Sequence, residues 1–147
     1  MQTTAVQRDL ARWLLAREMD DRQDPAALSD AADRASQKLC QRLTMLVTPA
    51  GSHALLARAL HLARAEFPFL EGVQACPPPE ICLVGVRERV HGVEPALAQH
   101  GLAAILASLI GLLITFIGED LALRLVRDVW PDVPPVAANF NIQEATR

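Results

Sequence analysis

The sequence predicts an all-α, single-domain bundle of about five helices packed around a long, largely buried C-terminal helix. Three observations carry that prediction. Apolar residues recur at helical spacing in successive segments punctuated by proline and glycine. The apolar mass, 51% of the chain, comes from Ala, Leu, Val and Ile, with only 4% aromatic residues and no tyrosine, and Ala and Leu are strong helix formers. Finally, the stretch 101–118, GLAAILASLIGLLITFIG, carries no charge at all, the signature of a helix covered on most sides. At 147 residues the chain fits one domain, large enough to bury roughly two thirds of its unfolded surface. Residues 1–130 are expected to form the bundle and 131–147 an extended or disordered tail.

The first helix is expected over 4–22, where Val6, Leu10, Trp13 and Leu14 share one side and Arg8, Asp9, Arg12, Arg17 and Glu18 fall mostly on the other. Asp24 followed by Pro25 reads as an N-cap and first helical residue. Leu28, Ala32, Ala35, Leu39, Leu43 and Leu46 then trace a second stripe that ends near Val47. Thr48-Pro49-Ala50-Gly51-Ser52 breaks the chain and starts a third helix through Leu55, Leu56, Ala59, Leu62, Ala63 and Phe67, closed by Pro68. Residues 68–80, with Pro68, Gly72 and Pro77-Pro78-Pro79, form the main loop.

The segment Ile81 to Val90 is ambiguous: ICLVGV suits a short buried strand, whereas Arg87-Glu88-Arg89 and the helical surroundings favour a short helix. Glu94-Pro95 opens the last helix, and no further proline interrupts it before Pro131. At about 1.5 Å per residue it would be on the order of 50 Å long, so a kink is expected near Gly101 or Gly118. Beyond it, PDVPPVAANFNIQEATR has three prolines and no periodicity, although Phe140 and Ile142 are possible anchors.

Within the apolar stretch, Gly101, Ala104, Ser108, Gly111, Thr115 and Gly118 alternate at spacings of three and four, which places small residues on one helical face. Such a face admits close backbone approach by another helix at a shallow crossing angle. Ala104, Ser108, Gly111, Thr115 and Gly118 are therefore the expected helix–helix interface, either within the chain or between two copies. A bilayer is the alternative cover. Eighteen residues sit at the short end of the length a span needs, and ten Leu, Ile or Phe side chains favour insertion. Against it, Glu119 and Asp120 follow at once, no Trp or Tyr marks either edge, and the pattern continues into the amphipathic GEDLALRLVRDVW.

Charge and motifs narrow the function classes. Fourteen Lys plus Arg against 17 Asp plus Glu, with Lys38 the single lysine, leave no basic field for nucleic acid. The three cysteines, Cys40, Cys76 and Cys82, lack metal spacing and are expected as free buried thiols in a reducing, cytoplasmic setting, which disfavours the disulfide that Cys76 and Cys82 could form around the proline-rich loop. The segment MQTTAVQRDLARWLLAREMDD lacks the apolar core and cleavage site of a signal peptide, so secretion is not expected. No Walker loop, dinucleotide fingerprint, nucleophile elbow or HExxH occurs, so no catalytic residue, cofactor or metal site is assigned. His61, opposite the apolar stripe of the third helix with Arg58 and Arg64 nearby and the small Ala65 one turn on, is the one candidate phosphoacceptor. The surrounding ARALHLARAEF lacks the lysine-glycine pattern expected after a phosphotransfer histidine, and a solvated surface histidine is the favoured reading. The resulting expectation is association, with a second copy or a partner protein. A membrane-anchored protein using residues 101–118 and a histidine phosphotransfer module using His61 are the alternatives.

Overall fold

The computed structural model describes residues 5–19, 24–76 and 83–133, and within them the chain forms six α-helices, a 3-10 turn and a two-stranded antiparallel ribbon. The helices are α1 (Ala5–Glu18), α2 (Pro25–Leu43), α3 (Pro49–Glu66), α4 (Val86–Val90), α5 (Pro95–Ile117) and α6 (Glu119–Val129). The 3-10 turn Pro68–Leu70 follows α3, and β1 (Gln74–Ala75) pairs with β2 (Leu83–Val84), Gln74 opposite Val84 and Ala75 opposite Leu83. The all-α class is therefore the observed one, with α5 at its centre.

Helix starts follow local chemistry. The Asp24 carboxylate accepts the Ala27 N–H at 2.7 Å, and Pro25 occupies the first turn, where its missing donor costs nothing. The Thr48 hydroxyl accepts the Gly51 N–H at 3.0 Å, so α3 begins at Pro49. The end of α2 also differs from expectation. Thr44 returns its hydroxyl to the Cys40 carbonyl at 2.7 Å, and the N–H groups of Met45 and Leu46 bond to the carbonyls of Arg42 and Leu43. These tighter i−3 bonds unwind the last turn, so the helix stops at Leu43 and Leu46 leaves the apolar stripe, 50% exposed.

The ambiguous segment contains both candidate elements in series. Leu83–Val84 is the short strand, Gly85 at φ 89° turns the chain through the left-handed region, and Val86–Val90 is the short helix. The long C-terminal helix is in turn two helices. Gly118, at φ 89° and ψ 157°, ends α5 by donating to the Ile114 carbonyl at 3.0 Å and begins α6 by accepting from Ala122 at 3.0 Å. That conformation belongs to glycine, and a Cβ added there would meet nothing within 4 Å. Gly118→Ala should therefore cost about 1–3 kcal/mol through backbone strain alone. Urea unfolding checks this, and an unchanged midpoint would refute it.

Gly101 has a different role. A Cβ there would lie 2.4 Å from Phe69 Cζ, so the glycine gives that ring room against α5. Phe69 meets Phe67 edge to face, with ring centroids 6.3 Å apart.

The core is the circumference of α5. It packs chiefly against α3 and α1, then against α6 and α2. Leu102, Ile105, Leu106, Leu109 and Ile110 are all fully buried, facing Leu10, Leu14 and Leu15 of α1, Leu39 of α2 and Leu56 and Leu60 of α3 within one continuous cluster. Among the described residues α5 is the one helix long and apolar enough to cross a membrane, and 72% of its apolar window is buried by the chain itself. After α6 the chain stays attached: Asp132 pairs with Arg17 at 2.8 Å and Val133 packs on the core. That exposed pair holds the Asp132 carboxyl below its ordinary pKa and Arg17 above, in each case through their shared hydrogen bond. The rest of the expected tail, 134–147, including Phe140 and Ile142, lies outside the described residues.

Candidate functional site

The small-residue stripe of α5 divides in two. Gly101, Ala104, Ser108 and Gly111 are buried in the bundle, whereas Thr115 and Gly118 are exposed. Thr115 returns its hydroxyl to the Gly111 carbonyl at 3.0 Å, a local bond within the helix. The exposed end of the stripe lies at the end of α5, beside a second apolar cluster. Leu43 and Val47, at the α2–α3 turn, pack with Leu113, Ile114 and Ile117 at the end of α5 and with Ala122 and Leu125 of α6. The two turns therefore share one pole of the bundle. Among the described residues, the large apolar side chains that face solvent include Met45 at 78% and Leu46 at 50%, just after α2, and Phe116 at 67%, near the end of α5. Arg42, in the last turn of α2, and Asp120, in the first turn of α6, are both exposed.

His61 is exposed on α3, as are Arg58 one turn before it and Ala65 one turn after. Arg64 does not turn to the histidine. Its guanidinium donates to the Val73 carbonyl and ties α3 to the loop that follows, and its Nε is buried without a partner. The other described histidines are scattered. His53 meets the Ala75 carbonyl at 3.3 Å, His91 caps α4, and His100 is exposed on α5. Among the described residues no three His, Cys, Asp or Glu side chains converge.

Two further constellations unite residues distant in sequence. The first is centred on Glu18, whose side chain is only 6% exposed at the end of α1. One carboxylate oxygen accepts from Lys38 Nζ at 2.7 Å and from Trp130 Nε1 at 2.8 Å, and the other lies 3.5 Å from Arg34 Nε. Arg34 also donates to the Glu18 carbonyl. Desolvation, the largest single influence, pushes the Glu18 carboxyl upward. Hydrogen bonds from Lys38 and Trp130 and the charges of Lys38 and Arg34 together outweigh it, so the group titrates below its ordinary value. A carboxylate pinned in its charged form is a poor proton donor or acceptor at neutral pH. Glu18 acts as a clamp joining α1, α2 and the end of α6.

The second constellation is a cavity of about 220 Å³ between α1, the end of α3 and the first half of α5. Arg8, Asp9 and Arg12 of α1 stand on one side, His100 on the other, and Phe67, Ala103 and Ala104 form the apolar wall. Arg8 crosses to Glu66 of α3 at 2.9 Å, and Arg12 pairs with Asp9. Periodicity alone pointed to neither constellation, because each depends on how helices lie together. The one signal available was the placement of Arg8 and Arg12 one helical turn apart.

The cysteines divide. Cys40 is a free, buried thiol whose pKa is pushed up to about 12 by desolvation, which makes it inert. Cys76 is disulfide-bonded, so the expectation of free thiols fails there, and Cys82 lies outside the described residues. The presumption of a reducing setting had outweighed the closeness of two cysteines around a proline-rich loop. Comparison with known proteins gives no matching family model, no matching curated protein and no matching solved structure.

Proposed function

We propose that this chain is an association module that pairs with a second copy of itself through the apolar pole formed by the α2–α3 and α5–α6 turns. The observation that carries this reading is the exposure of Met45, Leu46 and Phe116, at 78%, 50% and 67%, beside two turns whose buried residues pack in one cluster. Neighbouring apolar side chains left in water favour a partner, since each gains free energy in proportion to the area removed from solvent. The charges beside the two turns are mixed in sign, with Arg42 in the last turn of α2 and Asp120 in the first turn of α6, so a twofold axis can set each opposite its complement. Thr115 and Gly118 contribute the small surface that lets two such ends approach. Ala104, Ser108 and Gly111 support the same helix from within the protomer. The disulfide at Cys76 favours an oxidising location over the cytoplasm.

Light scattering in detergent-free buffer tests the proposal. The chain should show a dimer mass, and the double variant Met45→Ser, Phe116→Ser a monomer mass with its helix content by circular dichroism unchanged, because both side chains are exposed. A monomeric wild type, or a dimer that survives both substitutions, refutes it.

A further inference from the structure

We propose that the groove between α2 and α6 binds a free amino acid with an apolar side chain. The groove, of about 410 Å³, lies within the usual range for small-molecule sites. Lys38, Gln41 and Arg42 line it from α2, Met45 from just beyond that helix, and Asp128 and Val129 from α6. Its charges single it out. Arg42 and Asp128 line the same hollow with opposite sign, yet among the described residues neither side chain takes part in an ion pair or hydrogen bond, with the other or with a third group. Lys38 differs, since its ammonium is held by Glu18 at 2.7 Å. Nor does helix stability favour an acid at position 128. Asp128 stands in the last turn of α6, where the negative end of the helix dipole repels a carboxylate, and no cation pairs with it to offset that repulsion.

One unspent cation and one unspent anion call for a ligand that carries both signs. A simple anion drawn to Arg42 would meet Asp128 in the same groove, and a simple cation drawn to Asp128 would meet Arg42. A zwitterion satisfies both. Its carboxylate accepts from the Arg42 guanidinium, whose planar fork matches that group, and its ammonium donates to the Asp128 carboxylate. Gln41 adds an amide that can donate or accept at the polar end. Met45 and Val129 offer a thioether and a branched aliphatic surface, which suit an apolar side chain. Arg42 and Met45 also border the surface assigned to self-association, so an amino acid in the groove and a second copy compete for them. That competition depends on the pairing proposed above, whereas the site itself does not.

Calorimetric titration of the full chain with leucine tests the proposal. The comparators each remove one feature: isocaproate lacks the ammonium, isopentylamine lacks the carboxylate and glycine lacks the apolar body. Leucine should bind at one site per chain and every comparator at least about tenfold more weakly, the factor supplied by one charge-assisted hydrogen bond or by partial burial of the isobutyl group. Arg42→Gln and Asp128→Asn, both at exposed positions that leave the core untouched, should each weaken leucine by about tenfold. Phe116→Ser, outside the groove, should bind leucine at least as tightly as the wild type whether or not the chain pairs, so failure of self-association and failure of this site are read separately. No leucine binding, a comparator that binds as tightly as leucine, or an affinity indifferent to both charge variants overturns the site.

Discussion

Glu18→Ala is expected to lower the unfolding free energy by about 2–4 kcal/mol, a large share of what a domain of this size possesses. The loss has two parts. Removing the carboxylate strands the Trp130 Nε1–H, which donates to it at 2.8 Å inside a side chain only 3% exposed, and an unsatisfied buried donor costs about 1–3 kcal/mol. It also removes the charge that Lys38 and Arg34 gather round, a smaller loss because those side chains are 46% and 44% exposed and keep access to water. Glu18→Gln separates the parts, since its amide oxygen can still accept from Trp130, and should cost about half as much. The pH dependence follows from the lowered pKa. Stabilisation by Glu18 is complete above the unfolded carboxylate value and fades as the pH falls through the lower folded value. Urea titrations at neutral and acidic pH should show a steeper acid loss in the wild type than in Glu18→Gln. Equal stability of wild type and Glu18→Ala at neutral pH would show that the clamp contributes nothing.

Where the fold was legible in the sequence, the information was local. Asp24-Pro25 and Thr48-Pro49 set helix starts through side-chain caps and a fixed φ, and both caps are formed. Pro68 and Pro131 marked ends for a similar reason, and the all-round apolarity of 101–118 marked the central helix. Where the reading fell short, competition between local and distant terms decided the outcome. Leu46 matches the α2 stripe by spacing, but Thr44 tightens the preceding turn and turns Leu46 outward. Glycine permitted a break at both Gly101 and Gly118. Only the positions of Phe69 and α6 made the first a packing glycine and the second a corner. The Glu18–Trp130 contact spans 112 positions, and the cavity needs α1 and α5 side by side, so no short-range pattern foretells either. Even the small stripe, visible as a pattern, did not disclose that its first part faces inward and its last part solvent.

Leu106→Ala is expected to be the most destabilising single change to the central helix, at about 2–5 kcal/mol. Leu106 is fully buried midway along α5, where the helix is packed by α1, α3 and α2. Close packing on several sides leaves little freedom for neighbours to collapse into the space, and the cost rises with the residual cavity. Leu97→Ala, on the same helix but 44% exposed, should shift stability by less than about 0.5 kcal/mol. The contrast between them distinguishes a protein core from a lipid anchor. If residues 101–118 were sheathed by acyl chains, fluid lipid would fill the gap, and the loss would shrink to the transfer preference of one leucine, under about 0.6 kcal/mol. Urea unfolding in detergent-free buffer should therefore give a large fall in midpoint for Leu106→Ala with an unchanged slope, and almost none for Leu97→Ala. Two equally mild variants would mean that α5 is not held by the helices packed around it, and would return the apolar stretch to a bilayer.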